Sequence, residues 1–175
     1  MENTELRRVV PTDINLLQQI SRQTFHETFS ADNTESNMTQ FLEEGFSVAK
    51  LTREVSDKNT EFYFASQGNE VIGYLKLNFG QSQTEIWDDK ALEIERIYVL
   101  KEFQGKKVGQ ILYEKAIQRA RQINADYIWL GVWEYNPKAI SFYKKYGFKE
   151  FDKHIFRLGD DDQTDIMMKL ELQNE

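Results

Sequence analysis

The stretch Leu92 to Gly109, LEIERIYVLKEFQGKKVG, joins a strand-like run carrying two glutamates to a basic loop flanked by glycine. After Gln104, Gly105, Lys106, Lys107, Val108 and Gly109, the residues Ile111, Leu112, Lys115, Ala116, Gln118 and Ala120 have helical spacing and composition. The helix therefore begins at the loop. Its first turn offers unpaired N–H groups and the positive end of the helix dipole, beside two lysines. A phosphate group is the natural ligand of such a turn. A merely solvated basic turn is the competing reading.

The run before the loop is rich in Ile, Val, Leu and Tyr, as strands are. Leu92 and Ile94 alternate with Glu93 and Glu95, but Arg96 then takes an even position while Ile97 and Val99 take odd ones. One extra residue near Glu95 and Arg96 restores the pattern. A β-bulge supplies such a residue, bends the strand and leaves backbone groups unpaired, so that a ligand could dock there by backbone hydrogen bonds. An ordinary bulge without a ligand fits the same pattern.

The elements that position these residues follow from periodicity. Glu5 to Val10 reads as a strand closed by Pro11, and Thr12 or Asp13 caps a helix with Ile14, Leu16, Leu17, Ile20, Phe25 and Phe29 inward. Asp32, Asn33 and Thr34 break it; further helices are expected over Ser36 to Glu44, ended by Gly45, and over Ser47 to Ser56. Glu61 to Gln67 and Val71 to Phe79 form a hairpin around Gly68, Asn69 and Glu70, and the polar stretch Gly80 to Ala91 is a loop. Beyond the helix from Lys107 to about Asn124 come a strand at Tyr127 to Trp133 and a helix at Asn136 to Tyr146. Phe148 to Leu158 and Thr164 to Leu172 pair across an acidic turn, Gly159 to Gln163. Strands alternate with helices only in the middle, so the expected class is α/β, or mixed α+β: a mixed sheet covered by helices.

With 175 residues the chain is expected to be one domain, 1–175, with 40% hydrophobic and 29% charged residues. The longest apolar run is far short of a bilayer span, so no membrane association is expected. The N-terminus lacks the basic and apolar regions of a secretory signal, which points to the cytoplasm. The absence of cysteine removes disulfides, thiolate ligands and a cysteine nucleophile. His26 has no partner at ligand spacing, so no metal is expected. A formal net charge of −7 argues against nucleic acid and is compatible with a cationic substrate.

The loop resembles motif A of the GCN5-related N-acetyltransferase (GNAT) superfamily, with Gln104 and Gly109 at its ends and Lys107 where the family usually has glycine. A second stretch, NPKAISFYKKYGF from Asn136 to Phe148, resembles the family's motif B: Asn136, then Ala139, then Tyr143 seven residues after the Asn, then Gly147 and Phe148. Two motifs in order span Leu92 to Phe148, and the flanking strand patterns extend the likeness over nearly the whole chain. The resemblance implies a mostly antiparallel sheet with helices on both faces, in which the central strand and the Tyr127 to Trp133 strand splay apart to admit acetyl-CoA.

It also implies roles. The backbone of Ile97, Tyr98 and Val99 would hold the pantetheine arm and thioester. Gln104, Gly105, Lys106, Lys107, Val108, Gly109 and Gln110 would hold the pyrophosphate, and Asn136 would meet the pantetheine arm. Glu93, counted back from Gln104, falls at the catalytic glutamate of the histone acetyltransferases; Glu95 is the alternative base, and pairing with Arg96 or a lysine is the bland reading of either. Tyr143 would protonate the departing thiolate, with simple packing in FYKKYGF as the alternative. Transfer would be direct, without a covalent enzyme intermediate.

The segments FHETFSADNTESNMTQFLEEGF, LEIERIYV and LGVWEYN resemble bacterial spermidine and spermine N-acetyltransferases of the PaiA type. Glu27, Trp133, Glu134 and Tyr135 then become candidate contacts for a small-molecule amine, through carboxylate pairing and cation–π attraction. Acetylation of a protein N-terminus, as in the ribosomal-protein alanine acetyltransferases, is the runner-up, although those enzymes carry a glutamate where this chain has Gly131. A non-catalytic acetyl-CoA sensor is the third reading. A homodimer is compatible with all three.

Overall fold

In the computed structural model, residues 3–172 are described, and the extreme ends of the 1–175 span lie outside them. Seven strands form one sheet: β1 (Thr4–Arg8), β2 (Thr60–Gln67), β3 (Glu70–Phe79), β4 (Ala91–Val99), β5 (Tyr127–Trp133), β6 (Lys149–Leu158) and β7 (Asp161–Glu171). Five α-helices accompany it: α1 (Ile14–Phe29), α2 (Glu35–Gly45), α3 (Val48–Ser56), α4 (Val108–Gln122) and α5 (Pro137–Lys145). The spatial order is β1-β2-β3-β4-β5-β7-β6. Every neighbouring pair is antiparallel except β4 with β5, the mixed and mostly antiparallel sheet that the sequence implies.

Local chemistry sets the element ends. The Asp13 carboxylate accepts the Val10 N–H at 2.9 Å and pairs with Arg7 at 2.7 Å, which ends β1 two residues earlier than the apolar run suggests and starts the turn into α1. Thr34 caps α2, Ser47 caps α3 and Asn136 caps α5, each accepting a first-turn N–H through its side chain. Alternation along β3 assigns the helices to opposite faces. A methyl placed at Gly73 would lie 3.5 Å from Leu112 of α4, whereas Lys76, pointing the other way, pairs with Glu54 of α3. Phe62, Phe64, Leu75, Leu77, Leu92, Leu112 and Ala116 fill the interior around the middle strands. Full burial of each large apolar side chain contributes about 1.5–3 kcal/mol.

The phase slip near Glu95 is a bulge. Lys76 pairs with Arg96 and Leu77 with Ile94, so Glu95 has no residue opposite it. The parallel ladder between β4 and β5 covers only Ala91, Leu92 and Glu93 against Tyr127, Ile128 and Trp129. Beyond Glu93 and Trp129, β4 continues with β3 and β5 with β7, leaving a fork between them.

The last hairpin departs from the expected acidic turn. Only Gly159 and Asp160 lie outside the strands; Asp161, Asp162 and Gln163 are paired with Leu158, Arg157 and Phe156. Gly159 at φ 65° supplies the left-handed conformation that a two-residue turn needs. The polar residues are tolerated in the strand because Gln163 donates to Asn33 Oδ1 at 2.6 Å, and Asn37 donates to Asp160 at 2.8 Å.

Gly73 lies opposite Val99 on β4, and a Cβ added to it would stand 2.7 Å from the Tyr98 carbonyl oxygen. Gly73→Ala is expected to lower the unfolding free energy by about 1–3 kcal/mol through overpacking, read as a shift of the urea midpoint; an unchanged midpoint would show that β4 yields freely.

Candidate active site

One edge of β4 is unpaired from Ile94 to Val99, because β3 lies on its other side and β5 has diverged. At the open end Gln104 donates to the Val99 carbonyl at 3.2 Å and accepts from Lys138 of α5 at 3.1 Å, so one side chain links β4, the loop and α5. Gly105 (φ 78°) and Lys107 (φ 67°) are both left-handed, and Lys107 is the N-cap of α4. The lysine at the usual glycine position thus adopts the glycine-like backbone, at a cost of roughly 1–2 kcal/mol. No side chain caps α4. A Cβ added at Gly105 or Gly109 meets nothing within 4 Å, so space lies over the uncapped turn. Val108 is buried beneath it, while Lys106 lies over the Phe103 ring at 5.3 Å and Gln110 bonds to Glu114. An uncapped helix end, left-handed backbone and open space are what a phosphate group requires.

The two glutamates have different surroundings. Glu93 is buried and accepts from Asn78 at 2.9 Å, the Thr84 N–H at 2.8 Å and the Thr84 hydroxyl at 2.6 Å, tying the loop before β4 to the sheet. Burial raises its pKa; the Asn78 hydrogen bond opposes this and the Glu95 charge adds to it. Glu95 accepts from Lys76 at 2.9 Å and Asn78 at 2.9 Å and pairs with Arg96 at 3.1 Å. Burial alone would raise its pKa, but the charges of Arg96 and Lys76 prevail and hold it at about 2. Glu95 is therefore a fixed anion at neutral pH. Neither glutamate presents a free carboxylate oxygen to the fork.

Tyr143 is 6% exposed, with its ring 5.5 Å from Phe148. Burial pushes its hydroxyl well above the ordinary value, so the group keeps its proton at neutral pH. Asn136 Oδ1 accepts from Ala139, which leaves the Nδ2 donors without a protein partner among the described residues. Burial also raises Tyr98, with Tyr74, Arg96, Tyr143 and Asp165 as the charged or ionisable neighbours that act on it. Ile97 and Val99 are half-buried on the open edge.

Trp133 and Tyr135 meet edge-on at 5.6 Å, and Phe29 of α1 lies 5.5 Å from Trp133. Tyr135 is 71% exposed, and the buried Trp133 Nε1 has no hydrogen-bond partner. Glu134 is half-buried, and its N–H donates to Thr164 at 3.0 Å. Glu27 is on α1: its carboxylate accepts the Lys101 N–H at 3.3 Å, and it lines a groove of about 670 Å³ with Arg22, His26 and Leu42.

Three polar residues absent from the sequence reading also converge near the fork. His154 Nε2 lies 3.2 Å from Asp165 Oδ2, and Nδ1 lies 3.1 Å from Glu85 Oε1. The hairpin register brings His154 and Asp165 together, and no sequence motif marks it. Among the described residues no group of three or more His, Asp or Glu is arranged to hold a metal ion. No helix among them is long and apolar enough to cross a membrane.

The sequence model of the Acetyltransferase (GNAT) family matches residues 18–148. The chain belongs to the GNAT family. This GNAT protein is an acetyltransferase, and it is 41% identical to the uncharacterized N-acetyltransferase in the pepI 3′ region of Lactobacillus delbrueckii subsp. lactis, over 97% of this chain and 98% of that one. It is 28% identical to the spermidine N(1)-acetyltransferase of Thermoplasma acidophilum, over 85% of this chain and 89% of that one. The crystal structure of PaiA N-acetyltransferase from Thermoplasma acidophilum in complex with coenzyme A superposes with a TM-score of 0.80 at 23% identity, covering 97% and 99% of the two chains. The ribosomal-protein-S18-alanine N-acetyltransferase of Escherichia coli superposes at 0.74 with 15% identity, covering 99% and 96%. These two likenesses concern the GNAT fold.

Because the Glu95 pKa is lowered from 4.5 to about 2, its contribution to stability is full above pH 4.5 and is lost as pH falls through about 2. Glu95→Gln leaves Lys76 and Arg96 with an uncompensated buried charge, so a loss of about 3–5 kcal/mol is expected. Denaturant titrations at neutral and acidic pH would show a less stable variant with a flatter acid limb; wild-type stability would remove Glu95 from this role.

Proposed function

We propose that this GNAT enzyme transfers the acetyl group of acetyl-CoA directly to a primary amine, and that the acceptor is a polyamine such as spermidine or spermine. The observation that carries the reading is the fork between β4 and β5 opening beside the uncapped N-terminus of α4. When bound, acetyl-CoA supplies an activated acetyl group on a thioester. The free edge of β4 at Ile97, Tyr98 and Val99 offers backbone groups to a pantetheine arm, and Asn136 Nδ2 offers a further donor. The backbone from Gln104 to Gln110 offers amides and a positive field to a pyrophosphate. Space over Gly105 and Gly109 lets it approach.

An alkylamine has a pKa of about 10.4, so it arrives protonated and must lose a proton before its nitrogen can attack. Tyr143 carries its proton at neutral pH, as a phenol does, and is the hydroxyl that would pass it to a departing thiolate. No side-chain nucleophile is required. The polyamine reading is supported by the likeness to the Thermoplasma spermidine N(1)-acetyltransferase, by the net charge of −7 and by Trp133, Glu134 and Tyr135 on consecutive positions after the fork. Their aromatic faces and carboxylate suit ammonium groups. Glu27, at the α1 contact with Lys101, is the candidate for a second ammonium.

Thiol release from acetyl-CoA is the direct test, with spermidine, spermine, an N-terminal alanine peptide and a lysine peptide as acceptors. Saturable turnover with the polyamines is expected. Turnover with the alanine peptide alone would transfer the assignment to protein acetylation, and binding without release would leave a sensor. Tyr143→Phe is expected to lower turnover at least about tenfold, or about 1.4 kcal/mol in the barrier, with acetyl-CoA affinity nearly unchanged. Unaltered turnover would remove Tyr143 from the chemistry.

A further inference from the structure

His154, Asp165 and Glu85 lie beside Gly131, on the same face of β5 as Trp129 and Trp133. Trp129 is the last β5 residue to pair with β4, opposite Glu93, so Gly131 is the first residue on that face beyond the fork. A Cβ at Gly131 would stand 3.1 Å from His154 Cε1 and 3.4 Å from Asp165 Oδ2. The imidazole of β6, reaching past β7, thus takes the room that a β5 side chain would fill. The side chains of His154 and Asp165 are 19% and 16% exposed, and Glu85 is 41% exposed, so the cluster is sheltered without being sealed. Trp133 is paired with Asp165 across β5 and β7, so the two side chains leave the sheet on the same face.

The hydrogen bonds of this cluster are incomplete in one specific way. Asp165 is a carboxylate and only accepts, so the contact between Nε2 and Oδ2 requires the proton on Nε2. A neutral imidazole then presents a lone pair at Nδ1. Nδ1 lies 3.1 Å from Glu85 Oε1 without hydrogen-bond alignment, so the carboxylate stands beside the ring rather than binding its lone pair. Nδ1 is thus the ring atom that can take up a proton, and the Glu85 carboxylate beside it stabilises both an arriving alkylammonium group and the imidazolium that results. Glu93, by contrast, has its oxygens occupied by Asn78 and Thr84, and Glu95 is held by Lys76 and Arg96.

We infer that His154, oriented by Asp165 and assisted by Glu85, is the general base that removes the proton from the acceptor amine. The inference rests on the reading of the enzyme as an amine acetyltransferase. One N–H bond of the ammonium breaks, its electron pair stays on nitrogen, and the proton passes to His154 Nδ1 and then to solvent. The nitrogen lone pair forms the bond to the acetyl carbon, and the carbon–sulfur bond breaks with its electrons on sulfur. Tyr143 protonates the sulfur, and the second proton lost by nitrogen restores Tyr143. Asp165 is a positioning residue: it selects the tautomer that leaves Nδ1 free.

The groups acting on His154 are Asp165 from β7 and Glu85 from the loop between β3 and β4, while β5 contributes the uncharged Gly131. The Asp165 hydrogen bond raises the imidazole pKa above 6.5, burial opposes this, and the Glu85 charge adds to it. The limb of activity that rises with pH therefore belongs above the ordinary histidine range.

Thiol release by the full-length enzyme is measured from about pH 6 to about pH 9, with whichever primary amine the wild type acetylates, so failure of the polyamine assignment leaves the test intact. His154→Gln is expected to lower kcat/KM at neutral pH by roughly 10²-fold, to flatten the rising limb and to leave acetyl-CoA affinity unchanged. Asp165→Asn is expected to move the limb to lower pH and to lower its plateau, a change that loss of packing alone would not produce. Retention of the wild-type limb by both variants would overturn the inference, as would loss of the limb in Glu93→Gln but not in His154→Gln.

Discussion

The anion at Glu95 is the constraint on which the rest of the site depends. It occupies the extra position of the β4 bulge, between the Lys76 ammonium and the Arg96 guanidinium, with Asn78 donating from β3. Burying either cation alone in this position would be costly; Glu95 lies against both, and Glu54 adds a second carboxylate at Lys76. The bulge breaks the regular bonding of β4 just where β5 must leave it.

That part of the architecture was legible from the residues. The phase slip between Ile94 and Ile97 marked the bulge, and Gln104 to Gly109 before an apolar-periodic run marked the start of α4. What stayed hidden were the partners. Nothing near Glu93 in the chain announces that Thr84 and Asn78 will occupy its oxygens, because the contacts come from a folded-back loop and an adjacent strand. Lys76 sits in an apolar run where its charge looks out of place until Glu54 and Glu95 converge on it.

The last hairpin shows how a small error in turn length conceals chemistry. With Gly159 to Gln163 as the turn, Leu158 would pair with Thr164 and His154 with Met168. The actual two-residue turn pairs His154 with Asp165. Three polar residues that look like turn chemistry are strand residues, because Gly159 accepts a positive φ and Asn33 and Asn37 satisfy the neighbouring side chains. Register, rather than residue type, brings the imidazole and carboxylate together.

The three-residue ladder between β4 and β5 also has a mechanical consequence. On one side lie β1 to β4 and on the other β5, β7 and β6, each a run of continuous antiparallel pairing. The sheet is therefore two stiff plates riveted at Ala91 to Glu93, with Gln104 strapping the far end to α5. The β4–β5 ladder is short, and side chains make the other links across the joint, among them Trp129 to Gln83, Asn37 to Asp160 and Gln163 to Asn33. The main-chain ladder is thinnest where a long, narrow guest has to be threaded, and a shared hydrophobic interior holds the two plates together there.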